Sequence, residues 1–418
     1  MLAFVNAGYL AVWKRPRVVD SRVGCTVRKA RSFPHMREDS IVILDTRVSA
    51  DKDALRCVLQ RASSRGSVGL VSLKRQNWVK LICGASTEDV PLVRNLALVY
   101  TLAGVDCIDC AADEAVVRAV RQGIDTANSV LDRFELSQRQ PILMVSVNDD
   151  EDPHFRKAVF DPDRCPSDCP RPCEISCPAD AIGLQGVDRA KCYGCGRCIP
   201  VCPLGIIDAV HYTRPIEQLV ELISRMKVDA IEIHTRPQGV AAFARFWDRA
   251  GAVAMTENDT THTLLRELKL VAISFPDMPD LTGEMRKMHL VLGHDAASHV
   301  ELIWQTDGRP MSGDLGKGTS HASVRLAEKA LDGVHSLGLP GFVQLAGGTN
   351  EHTHVLLQQR SKLLTAAQFG GVAFGGAARK AVRPMLTTQN GESVEDLEQD
   401  WRRLADAITA ALQFILPN

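Results

Sequence analysis

GFVQLAGGTN, residues 341–350, is a short apolar run that ends in a pair of glycines just before a predicted helix. GVAFGGAARK, residues 371–380, repeats this arrangement. Glycine-rich turns at these places are typical of the phosphate site that (β/α)8 barrels build after strands seven and eight. The two stretches therefore favour a closed barrel over the alternative, an open doubly wound sheet.

The chain before these stretches alternates short apolar runs with amphipathic segments, starting at Trp78. Six further strands are predicted, within VKLICGAS, VDCIDCAA, PILMVSVN, VDAIEIHT, KLVAISF and VELIWQTDG. Short apolar strands separated by helices predict a parallel sheet covered on both faces. Because eight strands close a barrel, the predicted fold class is α/β, a (β/α)8 TIM-like barrel.

Eight of the thirteen cysteines lie in two runs between the third and fourth predicted strands. The second run, CYGCGRCIPVCP, has the spacing and the final Cys-Pro of bacterial ferredoxins, in which the fourth cysteine ligates the other cluster. The first run, CPSDCPRPCEISCP, has two longer gaps, and its CPADAI echoes the later CPLGII. This internal similarity indicates duplication and predicts an inserted bacterial-type two-cluster ferredoxin module.

Two [4Fe–4S] clusters are the predicted cofactors, and the longer gaps leave open whether one of them is a [3Fe–4S] cluster. Two zinc sites of four thiolates each are the alternative. The predicted ligands of one cluster are Cys165, Cys169, Cys173 and Cys202, and those of the other are Cys192, Cys195, Cys198 and Cys177.

The glycine pairs predict a phosphate group at the barrel mouth, for which flavin mononucleotide (FMN) is a natural ligand. Tight turns and helix caps are the alternative use of these glycines. The predicted cofactor-binding residues are Gly347, Gly348, Gly375 and Gly376.

The long glycine-rich loop at residues 305–319 is expected to be a functional loop or lid, or else a solvated surface loop. Its candidates for contact with a charged ligand are Asp307, Arg309 and Lys317. Further polar groups at strand ends, each a weak signal alone, are Lys80, Asp106, Asp109, Asn148, Glu232 and His234. We interpret His234 as a buried histidine with satisfied hydrogen bonds rather than as a catalyst.

Overall composition excludes several classes of function. The 49 basic and 50 acidic residues nearly cancel, so no net field directs the chain to nucleic acid, and no apolar run is long enough to span a membrane. The segment from Met1 to Arg37 carries eight basic residues and one acid, a composition that predicts a transit peptide; a disordered basic tail is the alternative.

The expected domain organisation follows from these features. It comprises a transit peptide or disordered segment (1–40), an N-terminal extension (41–77), the first part of the barrel (78–159), the ferredoxin-like module (160–212), the second part of the barrel (213–390) and a C-terminal helix (391–418).

KLICGAS, VRNLALVYTLAGVDCIDCAADEAVV, QTDGRPMSGD and the two cysteine runs together resemble the light-dependent period (LdpA) family of cyanobacteria, from about Trp78 to the C-terminus. The resemblance implies an iron–sulfur protein that senses redox state as a proxy for light and passes it to the circadian clock through a clock-input kinase and Kai proteins. It implies that the eight cysteines are the cluster ligands. It implies no established enzymatic activity.

The basic extension is longer than we expect of the cyanobacterial proteins and predicts a plastid-targeted algal relative in the chloroplast stroma. A cytoplasmic cyanobacterial protein is the alternative. The predicted function is a redox sensor or electron-transfer protein with protein partners. The alternative is an oxidoreductase that depends on a flavin or phosphate ligand and receives electrons from the clusters.

Overall fold

The computed structural model describes residues 40–66, 68–150, 153–211, 214–252, 268–309, 316–389 and 391–416. The transit-peptide prediction for Met1 to Arg37 lies outside these residues. So does the middle of the proposed lid, residues 310–315, and the side chain of Lys317 is not described either.

Eight parallel strands close into a barrel, which confirms the predicted (β/α)8 fold. The described strands are β1 (Trp78–Ile82), β2 (Cys107–Ala111), β3 (Ile142–Asn148), β4 (Arg156–Val159), β5 (Ile182–Gly183), β6 (Gly186–Val187), β7 (Asp208–His211), β8 (Ala230–His234), β9 (Leu270–Pro276), β10 (Glu301–Asp307), β11 (Phe342–Ala346) and β12 (Phe369–Phe374). The barrel contains β1 to β3 and β8 to β12, and β12 pairs again with β1.

The helices are formed by the amphipathic segments of the sequence. The described helices are α1 (Ser40–Ser63), α2 (Val71–Lys74), α3 (Val90–Ala103), α4 (Glu114–Arg133), α5 (Pro172–Ile175), α6 (Cys198–Val201), α7 (Ile216–Met226), α8 (Val240–Ala252), α9 (Leu281–His299), α10 (Ser320–Leu337), α11 (Thr353–Gln358), α12 (Ser361–Thr365), α13 (Gly376–Leu386) and α14 (Trp401–Ile415). Asp113 caps α4 by accepting the N–H groups of Ala115 and Val116. Among the described residues, no helix has the length and apolarity needed to cross a membrane.

The barrel interior has an apolar layer at one end and a polar layer at the other. Alternate residues of a strand face inward, so each strand contributes to both layers. The apolar layer is closed below by Leu73 of α2 and contains Trp78, Cys107, Met144, Ala230, Leu270 and Ile303. The polar layer, nearer the carboxyl ends of the strands, contains the buried residues Lys80, Asp109, Ser146, Glu232, Ser274, Gln305 and Gln344.

The outward faces of the strands pack against the surrounding helices in a second, larger apolar core. Cys110 belongs to this outer core, whereas Cys107 lies in the interior layer. Their opposite positions agree with the period of two in a strand and exclude a local pair of redox-active thiols. The C-terminal helix α14 packs against α3 and α13.

The cysteine-rich segment is an insertion after β3, at the carboxyl end of the barrel. The strands β3 and β8 pair directly in the barrel, and the short antiparallel pair β4 and β7 brings the two ends of the insertion together. The small module core contains Ala158, Ala181, Ile182 and Ile207 together with the buried thiols Cys173, Cys192 and Cys198. Few apolar side chains are available there, so the thiols occupy much of its interior.

Candidate functional site

Four thiols of the module meet around Cys202. Burial raises the pKa of the Cys165 thiol, and the neighbouring Cys169, a hydrogen-bond partner, and Cys202 raise it further. Burial also raises the pKa of Cys173, with contributions from Cys202 and Cys165. Burial opposes ionisation of Cys202 as well, but backbone N–H groups of residues 204–207 stabilise the thiolate and lower its pKa.

The other four thiols meet around Cys177. Burial raises the pKa of Cys198 to about 12, and the nearby thiols Cys195, Cys192 and Cys177 contribute to the shift. The Sγ atom of Cys192 accepts the N–H of Ala158 at 3.4 Å, and that of Cys177 accepts the N–H of Ala181 at 3.3 Å. Each set thus contains three cysteines of one run and the last cysteine of the other.

The loop that carries the second set has room only for glycine at two places. Gly194 has φ +74°, and a Cβ atom there would lie 2.2 Å from the carbonyl oxygen of Arg156. Gly196 has φ +73°, and its Cβ would lie 2.2 Å from the Arg156 guanidinium. Both features agree with the tight loop that the sequence predicts, in which three sulfurs turn inward.

The two sets fit an iron–sulfur centre chemically. Buried thiols crowded beside other thiols, as Cys165, Cys173 and Cys198 are, have a raised pKa and are costly to ionise without a nearby cation; a bound metal removes that cost. Sulfur donors alone, with backbone N–H groups directed at them, are the environment of iron–sulfur clusters.

A cavity opens at the carboxyl ends of the barrel strands, beside the module. All four predicted glycines, Gly347, Gly348, Gly375 and Gly376, line it. Tyr193, which lies between two thiols of the second set, reaches this cavity as well. The guanidinium of Arg379 lies 4.2 Å from the centre of the Tyr193 ring and donates to the Cys83 carbonyl at 2.5 Å. The module and the barrel mouth therefore share a wall.

A network of buried ionisable groups lies at the bottom of the cavity, which Glu232, His234 and Asp307 line directly. The ammonium of Lys80 donates to Glu232 and, at 2.5 Å, to the Oε1 atom of Gln305. Burial lowers the pKa of Lys80, but the carboxylates Glu232 and Asp109 outweigh it, so the pKa is raised. Burial and the Glu232 charge raise the pKa of Asp109 to about 7. Burial opposes ionisation of Glu232, yet Lys80 and His234 hold its pKa below the ordinary range.

The comparisons identify the family. Residues 165–213 match the "LdpA Fe-S cluster-binding domain" and residues 222–417 match the "Light dependent period A C-terminal domain". "Light dependent period A" of Synechococcus elongatus is 43% identical over 353 residues, which cover 84% of this chain and 94% of that protein. The chain belongs to the light dependent period A family.

Other similarities are weaker. "Translation initiation factor rli1" of Schizosaccharomyces pombe is 27% identical over 94 residues, 20% of this chain and 16% of that protein. A mutant tryptophan synthase alpha-subunit of Pyrococcus furiosus has a TM-score of 0.32 at 12% identity, covering 79% of this chain and 97% of the other. The carboxyl transferase domain of Rhizobium etli pyruvate carboxylase has a TM-score of 0.36 at 11% identity, with coverages of 82% and 49%. Family membership rests on the two family models and the Synechococcus relative, and the iron–sulfur domain rests on the model that matches residues 165–213.

The structure brings together several groups that the sequence treats as separate weak signals. Lys80, Asp109, Glu232 and His234 all belong to one buried network, and Asp307 of the predicted loop joins it. Asp106 lies outside this network. Its carboxylate accepts hydrogen bonds from the Ser72 hydroxyl and from the backbone N–H groups of Val79 and Gly69.

The sequence did not indicate three residues of the cavity wall, namely His154, Tyr193 and Arg379. Tyr193 and Arg379 stand inside stretches already singled out for cysteines and glycines, which was the only available signal. The centres of the His154 and His234 rings lie 4.8 Å apart, and nothing in the local sequence around His154 predicts this contact.

Proposed function

We propose that this protein is an iron–sulfur redox sensor and electron-transfer protein that holds two clusters and relays redox state to a protein partner. The grouping of eight thiols into two crossed sets of four carries the proposal. Bacterial two-cluster ferredoxins share this arrangement. When bound, such clusters accept and release single electrons.

We assign a [4Fe–4S] cluster to each set, with [3Fe–4S] as the alternative for the set that has the longer gaps. The chain holds the sulfurs in place through Gly194 and Gly196. The N–H groups of Ala158, Ala181 and residues 204–207 stabilise negative charge on the sulfurs, which favours the thiolate form and raises a cluster's reduction potential.

Anaerobic purification with iron and sulfide quantitation tests the cofactor. About eight irons per chain are expected, four for each cubane. The crossed assignment predicts that Cys177→Ser and Cys195→Ser remove the same cluster, and that Cys202→Ser and Cys169→Ser remove the other. Electron paramagnetic resonance (EPR) of the remaining cluster should then give the same spectrum for the two variants of a pair and different spectra for the two pairs. Cys57→Ser, outside the module, is the control; identical spectra for Cys177→Ser and Cys169→Ser would contradict the assignment.

A basic groove beside the second set is the proposed docking surface for an acidic partner. The groove, about 530 Å³, lies between the module and α13 and is lined by Cys177 itself. Its charged lining consists of Lys191, Arg197, Arg379, Lys380 and Arg383 against Asp89 and Asp180. Asp180 already pairs with Arg383 at 2.7 Å. The remaining positive charge lies where an acidic electron carrier would approach one cluster.

The exposed Lys380 offers a direct test of the groove. Lys380→Glu is expected to slow electron transfer between the clusters and a small acidic ferredoxin several-fold at low ionic strength, with the difference shrinking in high salt. Stopped-flow absorbance under anaerobic conditions measures this rate. Lys329→Glu serves as the control, because it makes the same charge change on α10, where the exposed Lys329 pairs with Asp277. Equal rates for both variants would contradict docking at the groove.

The name of the Synechococcus relative associates that protein with a light-dependent period. We propose that this chain likewise transmits light-dependent redox state to the circadian clock, with a clock-input kinase and Kai proteins, or other redox proteins, as partners. We also propose that its basic N-terminal segment directs import into the chloroplast stroma. A fusion of residues 1–40 to a fluorescent protein tests import, and cytosolic fluorescence would contradict it.

A second function, an oxidoreductase at the barrel mouth, is favoured by one observation: Tyr193 of the thiol loop lines the same cavity as the four glycines. The glycines at the start of α13 suit a phosphate or another small anion. The cavity measures about 90 Å³, well below the roughly 300 Å³ of typical ligand pockets, and this favours a small anion over a whole flavin. Flavin quantitation of the purified protein decides whether FMN binds.

A further inference from the structure

Three buried side chains converge on the cavity floor from two strands. Glu232 and His234 are two residues apart on β8 and therefore face the same side, and Asp307 ends β10. One potential ligand atom of each lies within 4.8 Å of those of the other two. All three side chains are buried.

Among the described residues, this buried network holds more carboxyl groups than ammonium groups. The buried carboxyl groups of Asp109 and Glu232 lie close to the ammonium of Lys80, and the buried carboxyl group of Asp307 lies close to Glu232. If all three are ionised, they carry two more negative charges than Lys80 balances. Buried charges in proteins are normally paired or bound to a metal. One divalent cation supplies the missing charge, whereas the alternative is protonation of the carboxyl groups or of His154 and His234.

The geometry suits a cation. His234 Nε2 lies 3.0 Å from Glu232 Oε1. Two metal bonds of about 2.1 Å at a right angle separate their ligand atoms by about 3 Å, as in octahedral coordination. Lys80 binds the other oxygen of Glu232, Oε2, so Oε1 can offer a lone pair to a cation while it also accepts a hydrogen bond from Gln305. Binding requires loss of the Nε2 proton of His234, which a neutral imidazole achieves by keeping its proton on Nδ1.

Neighbouring groups hold the two carboxylates in place. Gln305 donates to Glu232 Oε1 at 2.5 Å, and the Ser274 hydroxyl donates to Asp307. Outer partners of this kind orient metal ligands. The open side faces the cavity wall of glycines and Arg379, where water or a small anion completes the coordination.

We propose that Glu232, His234 and Asp307 bind a divalent transition-metal cation of the Mn²⁺, Fe²⁺ or Zn²⁺ class at the barrel mouth. One imidazole and two carboxylates form a mixed donor set that suits these ions better than Ca²⁺, which prefers oxygen ligands alone. The site uses none of the eight module thiols, so the proposal stands independently of the clusters.

Titration of the anaerobic, cluster-loaded full chain with Mn²⁺ tests the site, with free Mn²⁺ measured by EPR. Mn²⁺ prefers oxygen and nitrogen ligands and so avoids the thiols. One bound ion per chain is expected. Asp307→Asn keeps an acceptor for Ser274, and His234→Gln keeps a polar side chain; each is expected to weaken Mn²⁺ binding at least ~100-fold, because even outer partners contribute 10- to 100-fold.

Asp332→Asn is the matched control, since Asp332 is an exposed aspartate on α10 that pairs with Lys362. It is expected to bind Mn²⁺ as the unmodified chain does. Unchanged iron content and thermal unfolding in each variant show that the protein remains folded. Failure of the unmodified chain to bind one Mn²⁺, or equal affinity in Asp307→Asn and His234→Gln, would overturn the proposal.

Discussion

The barrel and the module stabilise their buried interiors in different ways. The barrel interior pairs its polar groups with one another: Trp78 of the apolar layer donates to Gln344 at 2.6 Å, and Gln344 donates to Gln305 at 2.6 Å. The module has a small apolar core in which thiols crowd together, and burial with the neighbouring thiols raises the pKa of Cys173 and Cys198. The barrel is therefore expected to fold without metal, whereas the module needs its cofactor, because binding energy there is folding energy.

Removal of iron gives the largest expected effect. Chelation under anaerobic conditions should abolish amide protection in residues 165–207 while the barrel strands stay protected. Hydrogen exchange followed by mass spectrometry measures both regions in one sample. Loss of protection in both regions would show that the barrel depends on the clusters, and retained protection in the module would show that its protein core suffices.

Adding a single methyl group to the thiol loop, by replacing a glycine with alanine, should remove one cluster. Gly194→Ala places a Cβ 2.2 Å from the Arg156 carbonyl oxygen at φ +74°, so the loop must shift and iron content should fall by about half. Gly183→Ala is the control, because Gly183 also lies in the module and has open space around its Cβ position. Iron analysis of both variants is the measurement, and full iron content in Gly194→Ala would contradict the close contact.

A change in the barrel network should reduce stability without loss of iron. Lys80→Met leaves Glu232 as a buried carboxylate without its main partner, and removing one member of a buried pair costs about 3–5 kcal/mol of unfolding free energy. Chemical denaturation measures the loss. The double variant Lys80→Met with Glu232→Gln should recover part of it, since no uncompensated charge remains. A loss in the single variant below about 1 kcal/mol would show that the pair contributes little.

The smallest expected effect is a change in pH dependence. The pKa of Asp109 is about 7 in the folded protein against 3.8 ordinarily. Between these values the folded protein holds a proton that the unfolded chain has released, so the unfolding free energy falls as pH rises. Asp109→Asn should make this slope shallower by up to about 1.4 kcal/mol per pH unit. Denaturation curves between pH 5 and 7 measure it, and an unchanged slope would show that Asp109 ionises normally.

Much of the architecture could be predicted from local patterns. Each of the eight predicted apolar runs overlaps one barrel strand, because a buried parallel strand needs an apolar run whatever its neighbours are. The position of the module after β3 follows from the order of the chain. The two thiol sets follow from cysteine spacing, since a short loop allows few arrangements of its sulfurs.

The cavity floor could not be predicted in the same way. Glu232 and Asp307 are far apart in the chain, and each alone is an ordinary polar residue near a strand end. They meet because the register of β8, β9 and β10 places their inward faces at neighbouring levels of a closed barrel. Tyr193 likewise reaches the cavity only because the module folds back over the barrel mouth.

The sequence by itself determined the strand count, the helical segments and the clustering of thiols, since these depend on periodicity and spacing within short stretches. Tertiary structure decided which distant groups share one buried volume: the ionisable residues of the barrel floor, and the wall where module and barrel meet. The physical reason is that register and closure are properties of the whole sheet. Burial, charge pairing and shifted pKa values arise only after those long-range contacts have formed.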